Sequence, residues 1–450
     1  MEAILNVIDQ EQLDEQRGVV QRQKRQGENQ PYGQVFNAIG KAAFPEGHPY
    51  SWSVIGSMAD LNAATLDDVK EWFETYYGPT NAVIALAGDI DLETAKIKVQ
   101  EYFGDIQPGP PLTKPKKWIA KRTEQTREVM EDNVPQTRIY KVWNVPEDGT
   151  AEAQALDLAS STLAGSKNSP LYQELVYKTG LATGVSAFYY GREIAGLFII
   201  SATVAPEQDV KEVESVIDAT LEKYLKTGPN SKLLKNTKTS TIAGLTNGLQ
   251  RIGGFGGKSD ILATYQTLYG DAGAFRKILE MYLDTSANEV KAASNKWLSS
   301  GDYVLTIVPA AKTSVVESTI DRSKGIPYPT EKLSYSFPKI QSAVLNNGSK
   351  LVLAERNDLP LVQLEIVFNN GYAVESEDEL GLVNFTMSMV DEGTKKYNSL
   401  EFAEMQESLG SGIGFGSSID TFSKGLISGD QRNITEIYDQ SFLNMSNKKI

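Results

Sequence analysis

The chain is organised around a stretch that reads Gln16-Arg17-Gly18-Val19-Val20-Gln21-Arg22-Gln23-Lys24-Arg25-Gln26, with Gly27-Glu28-Asn29-Gln30-Pro31-Tyr32-Gly33 directly behind it. The composition from about Glu11 to Gln26 predicts a helix. In such a helix Gln16 and Gln23 lie two turns apart, on the side that also carries Val19 and Val20. The valines predict that this side is buried. Two amides on a buried side require a specific role, and this makes the helix the first candidate for a functional element.

The composition limits the classes of protein to which this chain could belong. At 450 residues the chain predicts two to four structural units. The 40% hydrophobic and 23% charged residues are typical of a globular protein, and no apolar run is long enough to span a membrane. The net charge of −14 disfavours a nucleic-acid partner. The N-terminus lacks the basic and apolar regions of a signal peptide, so localisation is not read from it.

Two residue counts exclude common catalytic chemistries. There is no cysteine, which excludes disulfides, thiolate metal sites and a cysteine nucleophile. There is one histidine, His48, so a zinc helix with two histidines cannot be built. His48 lies in Phe44-Pro45-Glu46-Gly47-His48-Pro49-Tyr50-Ser51-Trp52, a segment rich in helix breakers and aromatic residues. Nothing of metal-binding spacing surrounds it, and we expect a structural histidine in a loop.

The segment before residue 107 predicts two helices around one strand. Thr65 and Asp68 have nearly the form of a capping box, and Val69, Trp72, Phe73 and Tyr76 follow at helical spacing. We therefore expect a helix that buries one aromatic face. Residues 82–87 (Ala-Val-Ile-Ala-Leu-Ala) predict a buried strand, and a second helix runs from its cap at Asp91 to Phe103.

Four prolines in residues 107–115 indicate a linker, and a second unit follows it. That unit predicts a strand at 139–145, helices at 151–163 and 171–177, a β-hairpin over 185–204 and a long helix beginning at Pro206. The cluster from Gly253 to Ser259 invites a phosphate-loop interpretation. Helical sequence precedes it, however, so we favour a glycine-rich connection.

An internal repeat and a third unit complete the organisation. Residues 70–86 and 295–307 both predict a helix with a tryptophan, a polar turn and an apolar strand. Residues 310–338 are a second linker. Beyond it, the turn Asn346-Asn347-Gly348 predicts a hairpin over 344–354, and a strand follows at 361–368 and a helix at 381–389.

Four of these segments together resemble the pitrilysin/insulinase-type zinc peptidases, family M16. Gln16 to Gln23 resembles the helix of the third zinc ligand, written (E/Q)-R-x-V-V-x-x-E, and His48 to Gly56 resembles the loop "HPYGWPVIG". Ser169 to Val176 is similar to S-x-L-Y-x-x-L-V, and Gly381 to Thr394 is similar to a degenerate "GLAHFLEHMLFKGT". The family implies a zinc endopeptidase that encloses peptides or unfolded polypeptides between two halves.

The resemblance also assigns the site positions, and there the chain departs from the family. Gln23 occupies the position of the glutamate ligand, and a neutral amide is a poor zinc ligand. Asn384, Met387 and Ser388 occupy the positions of the two histidines and the glutamate in the second motif. We therefore expect no catalytic residue, no metal ligand and no cofactor in this chain, although zinc is the cofactor of the family.

The fold class we expect is α+β, with repeated M16-like (LuxS/MPP-like) domains, each an antiparallel or mixed sheet with helices packed on it. We expect the C-terminal part of a first domain at 1–106, a linker at 107–117, a complete second domain at 118–309, a linker at 310–338 and the N-terminal part of a degenerate third domain at 339–450. The sequence after residue 427 does not resemble the family.

Two functions remain open. The first is an incomplete or degenerate zinc endopeptidase, inactive alone; the second is a non-catalytic subunit that binds peptides or assembles with an active partner. An upstream reading frame encoding His-x-x-Glu-His favours the first, and a separate gene for an active partner favours the second. A second M16-like half or subunit is an expected partner, nucleic acid is not, and the family suggests the periplasm or cell envelope.

Overall fold

The computed structural model describes residues 8–299, 301–310, 339–355, 362–390, 392–394 and 396–428. It contains helices and small sheets, which confirms the predicted α+β class. The helices are α1 (Gln10–Glu28), α2 (Val35–Ala43), α3 (Met58–Ala63), α4 (Leu66–Tyr76), α5 (Leu92–Phe103), α6 (Ala151–Ala164), α7 (Pro170–Tyr172, continued by a π-helical turn Gln173–Lys178), α8 (Val210–Thr227), α9 (Ser231–Gly248), α10 (Lys258–Tyr269), α11 (Ala274–Asp284), α12 (Ala287–Leu298), α13 (Leu382–Met389) and α14 (Ser399–Ser408). The strands are β1 (Thr126–Asp132), β2 (Arg138–Val145), β3 (Ala182–Gly191), β4 (Gly196–Val204), β5 (Tyr303–Pro309), β6 (Ile340–Val344), β7 (Lys350–Ala354), β8 (Val362–Phe368), β9 (Gly412–Ser417) and β10 (Phe422–Ser428).

The largest sheet has five strands in the order β1-β5-β2-β4-β3. β1 runs parallel to β5, and the other neighbours are antiparallel. The predicted hairpin is the β3–β4 pair, with Gly191 opposite Gly196. The central strand β2 is buried along almost its whole length, as expected for a strand covered on both faces.

One face of this sheet packs against α6, α8 and α12. Ile139, Trp143 and Val145 of β2 contribute to this core. The helices supply buried side chains at helical spacing, such as Val213, Ile217 and Leu221 of α8. The predicted helix at Pro206 in fact begins at Val210 and is capped by Asp209, whose carboxylate accepts from the amide of Lys211 at 2.9 Å.

The other face of the sheet is covered by a segment from far earlier in the chain. Helix α2 buries Val35, Ile39 and Ala43 in a core shared with Val142 of β2 and Leu305 of β5. From the sequence, this segment reads only as a connection to the aromatic loop, so α2 is a helix that the prediction missed. Its three buried residues recur every four positions, which is the signal of a helix packed along one side.

The elements between residues 58 and 103 depart most from the sequence-based expectations. The helices α4 and α5 form, and the predicted capping box of Thr65 and Asp68 is present. The predicted burial of the aromatic face is wrong, because Trp72 is 59% exposed and Tyr76 41% exposed. Their rings instead contact each other along the helix, with centroids 4.3 Å apart and planes tilted by 41°.

The strand predicted at residues 82–87 does not form. Val83, Ile84 and Leu86 are exposed, and none of the described strands pairs with this segment. A strand needs a neighbour for its backbone groups, and its propensity alone does not supply one. The proposed repeat therefore holds for the helices α4 and α12, whereas only the second copy continues into a paired strand, β5.

The described residues from 339 onward contain the predicted hairpin and strand together with two strands that were not predicted. β6 and β7 pair antiparallel around the Asn346-Asn347-Gly348 turn, and β8, β10 and β9 form a second antiparallel sheet. The linker prediction at 311–338 and the tail after residue 428 lie outside the described residues. None of the helices in the described ranges has the length and apolarity to cross a membrane.

Candidate functional site

Helix α1 carries Gln23, the position that the resemblance aligns with a zinc ligand. The helix begins after Asp9, whose carboxylate accepts from the amide of Gln12 at 2.9 Å, and it extends through the predicted range to Glu28. Arg17 holds the helix to α3 by donating to the carbonyl oxygens of Asn62 and Ala64, at 3.1 and 2.9 Å. The cap and these hydrogen bonds therefore hold α1 in place against α3.

The side of α1 that carries Gln23 is open to solvent. Gln16 and Gln23 are exposed and Val19 is 42% exposed, so the burial predicted for this side is wrong. The side chain that α1 does bury is Lys24, which pairs with Glu28 at 2.6 Å. Helix α1 makes its main contacts with α3 and not with any strand of the described residues, which leaves the Gln23 side uncovered.

The second motif lies on α13, and its three positions have unrelated surroundings. Asn384 is exposed and accepts a hydrogen bond from the hydroxyl of Ser417 on β9. Met387 is buried, and Ser388 is exposed and donates to the carbonyl oxygen of Phe385 at 2.8 Å. Within the described part of the chain, no hydrogen bond or ion pair joins these three side chains to Gln23. The structure therefore does not bring the candidate positions together.

His48 is fully buried, and both of its ring nitrogens are used. Nδ1 accepts from the amide of Tyr50 at 3.0 Å, which leaves Nε2 to donate to the carbonyl oxygen of Trp118 at 2.8 Å. The imidazole stacks on Phe44 with ring centroids 4.4 Å apart. This neutral tautomer ties the aromatic loop to the segment before β1, in keeping with a structural role.

The glycine-rich segment connects α9 and α10 and exposes an aromatic side chain. Gly254 and Gly256 have φ values of 74° and 75°, in the left-handed region that favours glycine. The amide of Gly256 donates to the carboxylate of Asp260 at 2.8 Å, so an acidic group already occupies a donor that a phosphate would need. Phe255, between the glycines, is 94% exposed. An apolar ring on a connecting loop is a candidate contact for a polypeptide.

The residues present do not fit the zinc of the family. In the part of the chain that the structure describes, no three side chains among His, Cys, Asp and Glu are grouped so as to hold a metal. The aligned position is an amide on an exposed helix side, and the one histidine uses both nitrogens in protein contacts. No step of a zinc mechanism is therefore derived for these residues.

A buried charged network beneath the sheet was not predicted from the sequence. Lys141 of β2 is 2% exposed, and its Nζ lies 2.9 Å from Asp218 and 2.8 Å from Asp302. Glu214 lies 3.5 Å from the same ammonium and receives a bidentate pair from Arg127 at 2.8 and 2.6 Å. In the sequence, Lys141 is a single lysine within a predicted strand. Its charged partners lie on elements that are distant in sequence, so no local pattern indicates the network.

The charges of this network stabilise one another. Burial lowers the pKa of Lys141, but the hydrogen bonds that its ammonium donates to Asp302 and Asp218 outweigh this effect, and the net shift is upward. The hydrogen bonds from Arg127 lower the pKa of Glu214, against an opposing effect of burial. The network links β1, β2, α8 and the residue that directly precedes β5.

Comparison with known proteins shows which family the chain is similar to. The family model described as "Peptidase M16 inactive domain" matches residues 63–241. "Zinc protease PqqE" of Helicobacter pylori is 25% identical over 300 residues, which are 65% of this chain and 66% of that protein. "Uncharacterized zinc protease YmxG" of Bacillus subtilis is 24% identical over 236 residues, 52% of this chain and 56% of that protein.

Solved structures give the same fold. A protease from Helicobacter pylori matches with a TM-score of 0.60 and 22% identity, over 67% of this chain and 73% of that chain. The periplasmic protease PqqL from Escherichia coli matches with a TM-score of 0.52 and 11% identity, over 96% of this chain and 52% of that chain. Identities this low establish the fold alone.

The resemblance to the M16 family is thereby confirmed: part of the chain matches the family model, and the chain is similar to proteins of M16-like fold. The chain spans just under two thirds, or less, of the length of the curated relatives described above. Those relatives are named zinc proteases, which supports zinc as the cofactor of the family.

Proposed function

We propose that this chain takes part in the handling of peptides or unfolded polypeptides as an M16-like protein and does not by itself hold a catalytic zinc. The observation that carries the proposal is Gln23. The position that the family uses for a carboxylate ligand holds a neutral amide, and that amide lies on an exposed helix side. M16 family membership supports the substrate class.

The chemical requirement is a set of strong ligands and a base. Zinc in a peptidase is held by three protein ligands and activates a water for attack on the peptide bond. Asn384, Met387 and Ser388 offer an amide, a thioether and a hydroxyl, none of which is a usual zinc ligand in proteins. The described residues therefore support binding of a polypeptide and not its hydrolysis.

The second candidate function is that of a non-catalytic subunit that binds peptides or joins a second M16-like half. The exposed apolar residues of the first unit favour it, because large apolar patches on soluble proteins mark interaction surfaces. Trp72, Val83 and Leu86 lie on this surface.

Metal content and activity test the catalytic part of the proposal. The purified chain is dialysed and analysed for zinc, and an unstructured peptide is then incubated with it, with and without chelator. We expect no stoichiometric zinc and no chelator-sensitive cleavage for the chain or for Gln23→Glu, because one carboxylate cannot complete a ligand set. About one tightly held zinc per chain, or cleavage that chelator abolishes and zinc restores, contradicts the proposal.

Peptide binding is tested with a labelled unstructured peptide and fluorescence anisotropy. Phe255→Ala removes the most exposed ring of the glycine-rich loop, and Phe36→Ala removes a ring that is 56% exposed on α2. We expect weaker binding for the first variant and unchanged binding for the second. Equal affinity of the chain and Phe255→Ala excludes the loop, and no binding by the unmodified chain excludes the peptide-handling function.

A further inference from the structure

A cavity of about 950 Å³ lies between the second and third units. Its walls are the end of α8, the start of α9, the π-helical turn at 173–178 and one side of α14. π-Helical turns are uncommon and are found frequently at functional sites. Pro170 and Glu174 of the family-like segment Ser169 to Val176 line this cavity, whereas the two zinc-site motifs and the proposed function do not use it.

One wall of the cavity contains an amide whose hydrogen-bonding capacity is unused. Asn236 is 4% exposed and lines the cavity, and its Nδ2 has no hydrogen-bond partner in the described part of the structure. Buried polar groups are nearly always hydrogen-bonded, so an unmatched donor at a cavity wall requires an explanation. An acceptor atom of a bound molecule would satisfy it.

Some of the charged side chains that line the cavity have an ion-pair partner within the described residues, and others do not. Lys232 pairs with Glu404 at 2.6 Å, and Glu174 pairs with Lys178 at 2.8 Å. Within the described residues, no ion pair involves Lys223 or Glu407, and both line the cavity. The unmatched charges are therefore one cation and one carboxyl group.

The surroundings of Glu407 favour a cationic partner. Burial raises the pKa of Glu407, while a hydrogen bond from Ser166 lowers it and the charge of Glu404 raises it further. A carboxyl group held in this way is stabilised in its charged form when an ammonium group lies next to it. Leu233 and Val216 supply an apolar part of the same wall.

We propose that this cavity binds a small zwitterion, a free amino acid or a short peptide with unblocked ends. Its ammonium group lies against Glu407, and its carboxylate lies against Lys223 and accepts from Asn236. A single charge of either sign would leave one wall group unmatched, whereas a zwitterion matches both. The site is independent of the zinc question, and its occupancy does not depend on peptidase activity.

Isothermal titration calorimetry with the full chain tests this site. The probes are L-leucine and L-alanyl-L-leucine, which distinguish the two sources of the zwitterion, and N-acetyl-L-alanyl-L-leucine amide, which has the same apolar part without charges. We expect at least one zwitterion to bind with a single site. We expect the blocked probe to bind about tenfold more weakly or worse, a difference of about 1.4 kcal/mol.

Variants assign the binding to the wall groups. Lys223→Met and Glu407→Gln should each weaken binding about tenfold. The matched control is Lys226→Met, which lies on the same helix and pairs with the exposed Glu222 at 2.5 Å, and it should bind as the unmodified chain does. Lys223 is exposed, so Lys223→Met decides the question even if Glu407→Gln impairs folding.

Three results would overturn the proposal: no heat with either zwitterion at millimolar concentration, equal binding of the blocked probe, or unchanged binding by Lys223→Met. Failure of this site leaves the zinc and anisotropy measurements unaffected, so it is distinguishable from failure of the proposed function. Binding would also connect the two units, which already meet through Lys167 and Glu392 at 2.7 Å and through Asn168 and the carbonyl oxygen of Leu400 at 3.1 Å.

Discussion

His48 shows how one residue can look functional and be structural. It is the single histidine of a chain that resembles a zinc enzyme, yet its two nitrogens bond the backbone of Tyr50 and Trp118. No alternative partner in the described structure competes for them. At this position the sequence-based expectation of a loop histidine agrees with the geometry.

We predict that His48→Ala destabilises the protein by roughly 3 kcal/mol, since it removes a buried ring and leaves a backbone carbonyl without its donor. Gln23→Ala, on an exposed helix side, should change the free energy of unfolding by less than about 0.5 kcal/mol. Chemical denaturation measures both. A neutral effect of His48→Ala would contradict the structural role, and a large effect of Gln23→Ala would show that α1 is covered.

The buried network predicts a pH dependence. The folded-state pKa of Glu214 is depressed below the ordinary value of 4.5, mainly by hydrogen bonds from Arg127. Its contribution to stability is therefore present above pH 4.5 and is lost as the pH falls through the folded pKa. The unfolding free energy of the unmodified chain should decrease more steeply below pH 4.5 than that of Glu214→Gln.

The control for that measurement is Glu222→Gln. The pKa of Glu222 is also lowered, by the hydrogen bond that it accepts from Lys226, but the pair is exposed and screened by solvent. The unfolding free energy of Glu222→Gln should decrease below pH 4.5 as steeply as that of the unmodified chain. If the unfolding free energies of Glu214→Gln and of the unmodified chain decrease in parallel as the pH falls, the network contributes nothing to the loss of stability in acid.

At the level of elements, α2 is the connection between the early sequence and the sheet. Asn144 donates to the carbonyl oxygen of Ala43 at 2.9 Å, Arg122 donates to that of Ala42, and Ile39 is 1% exposed. We predict that Ile39→Ala lowers the unfolding free energy by about 2–5 kcal/mol. Phe36→Ala on the exposed side should cost far less, and comparable losses for both would contradict the packing of α2.

Elements with local signals were predictable, and elements that depend on distant partners were not. The capping box at Thr65 and Asp68 and the turn at Asn346 to Gly348 are complete within a few residues, and both are observed. Residues 82–87 have the composition of a strand and no neighbour to pair with. Helix α2 and the charges around Lys141 depend on contacts with elements more than 60 residues away in sequence.

The residues of the candidate site also fall into those that the sequence could predict and those that it could not. Sequence reasoning could name Gln23, Asn384, Met387 and Ser388, because a family motif is a local pattern. It could not locate the cavity between α8, α9 and α14, since Asn236 and Glu407 meet there only after folding. The division into domains at 107–117 and 310–338 stays a prediction.

For the whole molecule, the structure changes the expected pattern of limited proteolysis. The sequence suggests that both flanks are trimmed and that a middle piece between the linkers survives. Because residues 32–50 cover one face of the middle sheet, we now expect cleavage between residues 53 and 117 to leave that segment bound. Mass spectrometry of the resistant species under native conditions should find both pieces together. Release of the early piece, or digestion of the middle unit first, would contradict this.

The covering of the sheet by α2 also has a consequence for synthesis. Helix α2 is synthesised before the sheet on which it packs. One of the strands of that sheet, β5, is made more than 250 residues later. At roughly 5–20 residues per second, the nascent chain carries Val35, Ile39 and Phe44 without their sheet for a time on the order of tens of seconds. During translation the apolar side of this short helix is therefore a candidate contact for a chaperone.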